Sequence, residues 1–521
     1  MNRPQRLLGE GLVFSEINYS SKIAIQYKGV NYSYAELKES ALNFARSLVQ
    51  NNIKKGDRIA IYLNNSWQCA VSIYGISLAG GVFLVINPQT KANKLAYILN
   101  DSGAKILISE RNLQPEVSKS IAEIKVMPLF IFDNDGIISN FQNHTSLNFS
   151  ELILPKPEKI ELPVIIPNDL AALIYTSGST GFPKGVMMTH QAMVFTSWSL
   201  IEYLRLTDDE KIMLVIPLAF DYGLYQLLMS ITIGGTLIME HSFNFPPTIF
   251  RQIENLKPTV FPGVPSIFAI MIATYKKSGI VFESVKKITN TAAALPEEFT
   301  SDLKNIFPNA LIFKMYGLTE CKRVCYLEPE LAEIKNNSVG KPIPGTEVFL
   351  LSEDGKPVSP GEPGILHVRG PHVMAGYWNN EELSQQMLKP GLLPGEKILC
   401  AHDLFKMDED GYLYFLGRND DIIKTRGEKV SPIEVENAIY KLRTIKEVAV
   451  LGIPDPVLGE SIIAFVTTYE NVQLEEKEIQ IHCNSILEPF MVPKKIIFLS
   501  EMPKSSNGKI NKLELKKIPI I

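Results

Sequence analysis

The densest run of reactive side chains is Tyr175–Gly185, YTSGSTGFPKG, where three glycines, four Ser or Thr hydroxyls and one lysine fall within eleven residues. Glycines let backbone N–H groups approach and curl round phosphate oxygens, while Thr176, Ser177, Ser179, Thr180 and Lys184 add donors and positive charge. Charge-assisted contacts of this kind each contribute about 1.5–3 kcal/mol. Such a string suits the holding of a polyphosphate. It is not the common GxxxxGK[ST] phosphate loop, because five residues after Gly178 stands Pro183 and Lys184 is followed by glycine. A generic Gly/Ser tract is more often a ligand-free turn. This one is set apart by its order and by its place directly after the apolar run Leu170–Tyr175.

Four further strings follow in sequence: Tyr316-Gly-Leu-Thr-Glu320, Ala401-His-Asp403-Leu-Phe, Gly417-Arg-Asn-Asp420 and Asn507-Gly-Lys509-Ile. Taken singly, an aspartate is more often a turn residue and a tail lysine is usually solvated. Together with YTSGSTGFPKG, in this order and along nearly the whole chain, they resemble the motifs of the AMP-forming adenylating superfamily. That superfamily holds acyl-CoA synthetases, luciferases and the adenylation domains of nonribosomal peptide synthetases, and the closest match in motif is to stand-alone acyl- or aminoacyl-AMP ligases.

The resemblance implies ATP-dependent activation of a carboxylic acid to an acyl-adenylate with release of pyrophosphate, then transfer to a thiol, either CoA or the phosphopantetheine of a carrier protein. Catalytic roles fall on Thr180, Lys184, Glu320 and Lys509, with Lys509 bridging the substrate carboxylate and the α-phosphate. Nucleotide contacts fall on Thr176, Ser177, Gly178, Ser179, Gly181, Ala293, Ala294, Tyr316, Gly317, Leu318, Thr319, Asp403, Phe415 and Arg418. Tyr316 would stack on adenine and Asp403 accept both ribose hydroxyls, a sensible use of one carboxylate. Thr176 and Glu320 would hold Mg²⁺, for which hard oxygen ligands are apt. Asp420 stands at a hinge, and Gly427 and Lys429 line the path of the thiol arm. Loss of Lys184, Glu320, Asp403 or Lys509 would point instead to a non-catalytic nucleotide-binding protein; all four are present.

For the acyl pocket the resemblance offers Asp221, in PLAFDYGL, where amino-acid-activating relatives grip an α-ammonium. Equally, an aspartate before GLYQLLMSI can cap a helix by accepting its free N–H groups. Arg323 stands three residues after Glu320, where it can pair with Asp221 or with an acidic substrate group; Tyr225, Thr289, Thr291, Met315 and Val324 complete the lining. A pocket with Asp221, Tyr225 and Arg323 is too polar for a long alkyl chain, since an unpaired buried charge is costly. A small carboxylic or amino acid is expected, and a stand-alone amino-acid-adenylating enzyme that loads an acyl or peptidyl carrier protein is the alternative to a CoA ligase. Two departures from the family pattern are His402, in place of a glycine before Asp403, and Gly364-Ile365-Leu366 in place of GEL.

The elements that must position these groups can be read more coarsely. Asp57–Leu63 and Gly81–Ile86 are apolar runs flanking a helix-like stretch, Trp67–Leu78, an order that suggests a parallel sheet. Residues 134–167, rich in Asn, Ser and Pro, read as a surface connection within the large domain. From Leu413 onward a helical stretch at Ile433–Tyr440 and a strand at Glu447–Leu451 suggest a small α+β unit. The expected architecture is a large multi-layered α/β domain over residues 1–417, a hinge at 418–420, and a small mobile α+β domain over 421–521, with the site in the cleft between them.

With 521 residues at 45% hydrophobic content the chain is too long for one ordinary domain. A net charge of −4 with dispersed Lys and Arg lacks the footprint that nucleic acid requires. No run reaches the roughly 18 apolar residues of a membrane span. Five widely spaced cysteines fit a reducing cytoplasm, and seven histidines without HExxH argue against a zinc centre.

Overall fold

Arg58–Tyr62 and Val82–Val85 are strands joined by the helix Trp67–Leu78, and they pair in parallel as the sequence suggests. That helix is buried on nearly all sides and is capped by Ser66, whose hydroxyl accepts the Cys69 N–H. The computed structural model describes residues 4–519 except 127, 134–139, 142–143, 156–159, 178–182, 244, 292–294, 419–420, 427, 456, 470–473 and 505–508, and at Asn140, Phe141, Ser177, Glu297 and Lys429 the backbone alone.

Two nine-stranded sheets carry the N-terminal unit. In the first, parallel strands run from His144–Asn148 through Leu129–Asp133, Ile106–Glu110, Arg58–Tyr62 and Val82–Val85 to Leu170–Ser177 (β1), which turns back antiparallel as Pro183–Thr189 (β2) and then meets Gly376–Tyr377. The stretch 134–167 therefore does more than connect: Asn140–Phe141 and His144–Asn148 extend this sheet, and Phe149 packs on Phe44 with ring centroids 5.0 Å apart. Its strands are too short and too polar to show a period in the sequence.

Between the sheets lies the helix Asp221–Thr232 (α1), buried along almost all its length. Gly223 lets its first turn press on Pro217, whose carbonyl oxygen occupies the space a Cβ would need. The second sheet has a parallel centre that includes Lys287–Asn290 (β3) and Leu311–Tyr316 (β4), and continues through antiparallel Cys325–Leu327 (β5) to Lys341–Pro342 at its edge. Its strand ends deliver the loops of the site, the usual placement in open parallel sheets.

A third sheet contains Lys397–Met407 (β6) and Leu413–Arg418 (β7), in register with Asp403 opposite Arg418. Beyond it a fourth sheet over Ile423–Phe498 carries the helices Pro432–Tyr440 and Glu476–Ile486. Apolar clusters that reach Phe415 are separate from those that begin at Ile423. The two units touch where Phe299 meets Tyr440 edge-on at 6.2 Å. The architecture is the expected large α/β domain followed by a small α+β one.

Candidate active site

Strands β1 and β2 hold the two ends of the glycine-rich string in one ladder, with Thr176 directly opposite Lys184 and hence on the same face. Both side chains are half-buried. The Lys184 ammonium lies over the Tyr377 ring, 5.3 Å from its centroid, and Tyr377 donates its hydroxyl to Glu320 Oε1 at 2.6 Å. Thr176, Lys184, Tyr377 and Glu320 thus form one continuous group at the mouth of the loop, although they come from three distant parts of the chain. Among the described residues no set of three or more His, Cys, Asp or Glu side chains is placed to hold a metal. The Glu320 carboxylate with the Thr176 hydroxyl fits Mg²⁺, which commonly takes one or two protein oxygens and draws its other ligands from phosphate and water.

The loop from Tyr316 to Val324 leaves β4 and returns as β5. Leu318 O accepts the N–H groups of Cys321 and Lys322, and Val324 N–H returns to Tyr316 O at 3.0 Å. Gly317 permits this closure: a Cβ there would run into the Lys322 carbonyl oxygen. Gly317→Ala is expected to destabilise the protein by about 1–3 kcal/mol through overpacking against backbone. The check is thermal unfolding, and an unchanged Tm would contradict this account of the loop.

At the nucleoside end, Tyr316 donates its hydroxyl to Asp403 Oδ2 and packs against Phe415 at 5.5 Å and Phe405 at 4.9 Å. Arg418 Nε stands 3.8 Å from Asp403 Oδ1. His402 has φ 54°, the left-handed region that favours glycine, which gives a backbone reason for the glycine expected at this position.

Burial pushes the Asp403 carboxyl up to about 6, against the Tyr316 hydrogen bond and the Arg418 charge. A folded-state value above the unfolded one means that Asp403 favours the folded protein most at pH below the ordinary carboxylate range, and that this contribution is lost as pH rises through about 6. The expected role of Asp403 as acceptor of both ribose hydroxyls needs the ionised, acceptor-only form. ATP affinity is therefore expected to fall by up to about tenfold per pH unit below that value. Calorimetric titration of ATP across this range checks it, and Asp403→Asn should flatten the profile; a flat wild-type profile would contradict the assignment.

The acyl side is formed by α1, the end of β3 and the same loop. Asp221 is the first residue of α1 and Phe220 the N-cap, so the capping alternative is met only by the bond from Tyr222 N–H to Asp221 Oδ1 at 2.9 Å. Tyr222 donates its hydroxyl to Thr289 O at 2.6 Å, and Arg323 donates from Nη1 to Thr291 Oγ1 while lying 5.7 Å from the Tyr222 ring centroid. Tyr225, Thr289, Thr291, Met315, Arg323 and Val324 are all buried. Met315 Sδ is engaged by the Tyr203 hydroxyl at 2.7 Å.

Lys509 comes from the C-terminal unit. Its side chain keeps solvent access across the cleft, yet desolvation by the surrounding protein holds its ammonium below the ordinary lysine value, with Asp221, Asp403 and Glu320 pulling the other way and Arg418 adding to the lowering. One lysine therefore feels Asp221, Asp403 and Glu320 together.

Gly178, Ser179, Thr180, Gly181, Ala293, Ala294, Asp420 and Gly427 lie outside the described residues, as do the side chains of Ser177 and Lys429. Leu318 and Thr319 are half-buried in the loop after β4. Tyr377, Phe405 and Lys322 were not singled out from the sequence. Tyr377 reaches the site only because Met187 pairs with Gly376, a contact with no local signature.

A family model described as AMP-binding enzyme matches residues 17–378, and one described as AMP-binding enzyme C-terminal domain matches 434–509. The chain is 31% identical to a long-chain-fatty-acid–CoA ligase of Bacillus subtilis (strain 168), over 97% of this chain and 93% of that one. It is 29% identical to a feruloyl-CoA synthase of an Amycolatopsis species, over 95% of each. Among solved structures it is similar to an anthranilate CoA ligase in complex with anthranoyl-AMP, with a TM-score of 0.89 and 25% identity over 99% of this chain and 98% of that one.

Proposed function

This chain belongs to the AMP-binding enzyme family, an AMP-forming acid–thiol ligase by that membership, and from that premise we propose that it activates a small carboxylic acid as its acyl-adenylate and passes the acyl group to CoA. The observation that carries the proposal is the joining of Lys184, Tyr377 and Glu320 in one group and of Tyr316, Asp403 and Arg418 in another, with Lys509 of the C-terminal unit bearing on both Glu320 and Asp403. An acid attacking the α-phosphate brings two anions together, and a cation between them is what that step needs.

In this reading Asp403 and Arg418 hold the ribose, and Tyr316 and Phe415 enclose the base. Lys184 and Thr176 hold the phosphates, and Tyr377 keeps the Glu320 carboxylate turned towards them. Mg²⁺, when bound, screens the charge of the phosphates and helps pyrophosphate leave. Lys509 neutralises the charge that grows between the carboxylate oxygen and phosphorus. No covalent enzyme intermediate is required. Hydrolysis and side reactions are limited by closure of the C-terminal domain, residues 421–521, over the domain 1–417.

For the second step the C-terminal domain swings about residues 418–420, with Asp420 as pivot, and brings Gly427 and Lys429 to the path of the thiol. The names of the relatives favour CoA as the acceptor. A carrier-loading amino-acid ligase rests on Asp221 alone, and Asp221 is shared with Lys322 and Lys509. The five cysteines, all buried as thiols, fit a reducing cytoplasm. Among the described residues no helix is long and apolar enough to cross a membrane.

Product analysis tests the proposal. Incubation with ATP, Mg²⁺, CoA and a panel of carboxylic acids should yield AMP, pyrophosphate and an acyl-CoA in equal amounts. Thioester formed only on phosphopantetheinylated carrier protein, and not on CoA, would move the assignment to carrier loading.

A further inference from the structure

The acyl side of the cleft holds an unusual density of buried hydrogen-bond donors without partners. Lys322 is 2% exposed, and its ammonium makes no hydrogen bond. Arg323, 5% exposed, uses Nη1 on Thr291 but leaves Nε unpaired.

The carboxylates that bear on Lys322 are Asp221 and Glu320. Asp221 also bears on Lys509, and Glu320 is occupied by Tyr377 at the phosphate end. Lys322 and Arg323 are thus adjacent, buried and incompletely paired, and Arg323 lies against Tyr222, the residue next to Asp221, which is the one carboxylate of the acyl side that bears on Lys322. A buried ammonium without an acceptor is strongly disfavoured, and it persists where a ligand supplies what is missing.

Resting on the adenylating reading above, we propose that the pocket takes a short dicarboxylic acid, one carboxylate facing Lys509 and the other seated against Lys322 and Arg323. The two anionic ends match two cationic ends that share Asp221 as a neighbour, which keeps the acid short. The carboxylate at Lys509 attacks the α-phosphorus, the bond from that phosphorus to the pyrophosphate oxygen breaks, and pyrophosphate leaves with the electron pair; the second carboxylate is unchanged. A long alkyl chain would leave both donors unpaired. An amino acid would set its ammonium beside Lys322 and Arg323.

The test is exchange of labelled pyrophosphate into ATP by the full chain with Mg²⁺, across α,ω-dicarboxylic acids, monocarboxylic acids of equal length, free amino acids and long-chain fatty acids. A dicarboxylic acid is expected to give the highest kcat/KM. Lys322→Met should lower that value about 10²-fold, mainly through KM, and reverse the preference towards the matching monocarboxylic acid. A misfolded variant cannot produce such a reversal. Exchange confined to monocarboxylic, amino or fatty acids, or dicarboxylate exchange indifferent to Lys322→Met, overturns this inference and leaves adenylation standing. No exchange with any acid overturns the adenylation reading itself, and the substrate assignment falls with it.

Discussion

Lys509→Ala is expected to slow formation of the acyl-adenylate by about 10²-fold or more, by the same physics as removal of a preorganised oxyanion donor. Transfer from preformed acyl-adenylate to the thiol should proceed at the wild-type rate, because Lys509 meets Asp221, Glu320 and Asp403 only when the C-terminal unit lies over the cleft in the arrangement described. Desolvation makes this ammonium easier to deprotonate than an ordinary lysine, so the adenylation rate should also decline at a lower alkaline pH than a solvated lysine would require. Two rapid-quench experiments separate the steps, one starting from acid and ATP and the other from purified adenylate. Equal losses in both would refute the role.

Glu320→Gln should have an effect of comparable size, about 10²–10³-fold in kcat/KM for ATP, with the Mg²⁺ requirement moved to higher concentration. The amide keeps the shape and can still accept the Tyr377 hydroxyl, which holds Glu320 Oε1 at 2.6 Å, so what is removed is charge. Tyr377→Phe offers the complementary change: the carboxylate survives but loses the group that orients it, and a loss of about 10-fold is expected. Steady-state kinetics over a range of Mg²⁺ concentration distinguishes the two. An unaltered Mg²⁺ dependence in Glu320→Gln would remove Glu320 from the metal site.

Much of this site was legible in the sequence because its chemistry is carried by short strings. YTSGSTGFPKG runs from the end of β1 into the start of β2, and Tyr316 to Glu320 leaves the end of β4, so a strand–loop reading placed both. Asp403 and Arg418 stand fifteen residues apart along the chain yet are cross-strand partners, a pairing that a hairpin between apolar runs explains from sequence alone. Tyr377 was not legible, since its place between Lys184 and Glu320 depends on the short pairing of Gly376–Tyr377 with β2. Lys322 was hidden for a different reason. A lysine in a charged stretch normally reads as solvated, and only the fold of the Tyr316–Val324 loop buries it. The strands inside 134–167 failed to register because their residues alternate too briefly to carry a period.

The central claim is that a carboxylate oxygen attacks the α-phosphorus of ATP in the cleft that Lys509 closes. The most direct test is a single turnover with an acid whose carboxylate carries heavy oxygen, followed by thiol transfer and mass analysis of the products. One heavy oxygen recovered in AMP, with none in pyrophosphate, is the result expected. Heavy oxygen in inorganic phosphate with ADP as product, or AMP formed without any label, would contradict the account.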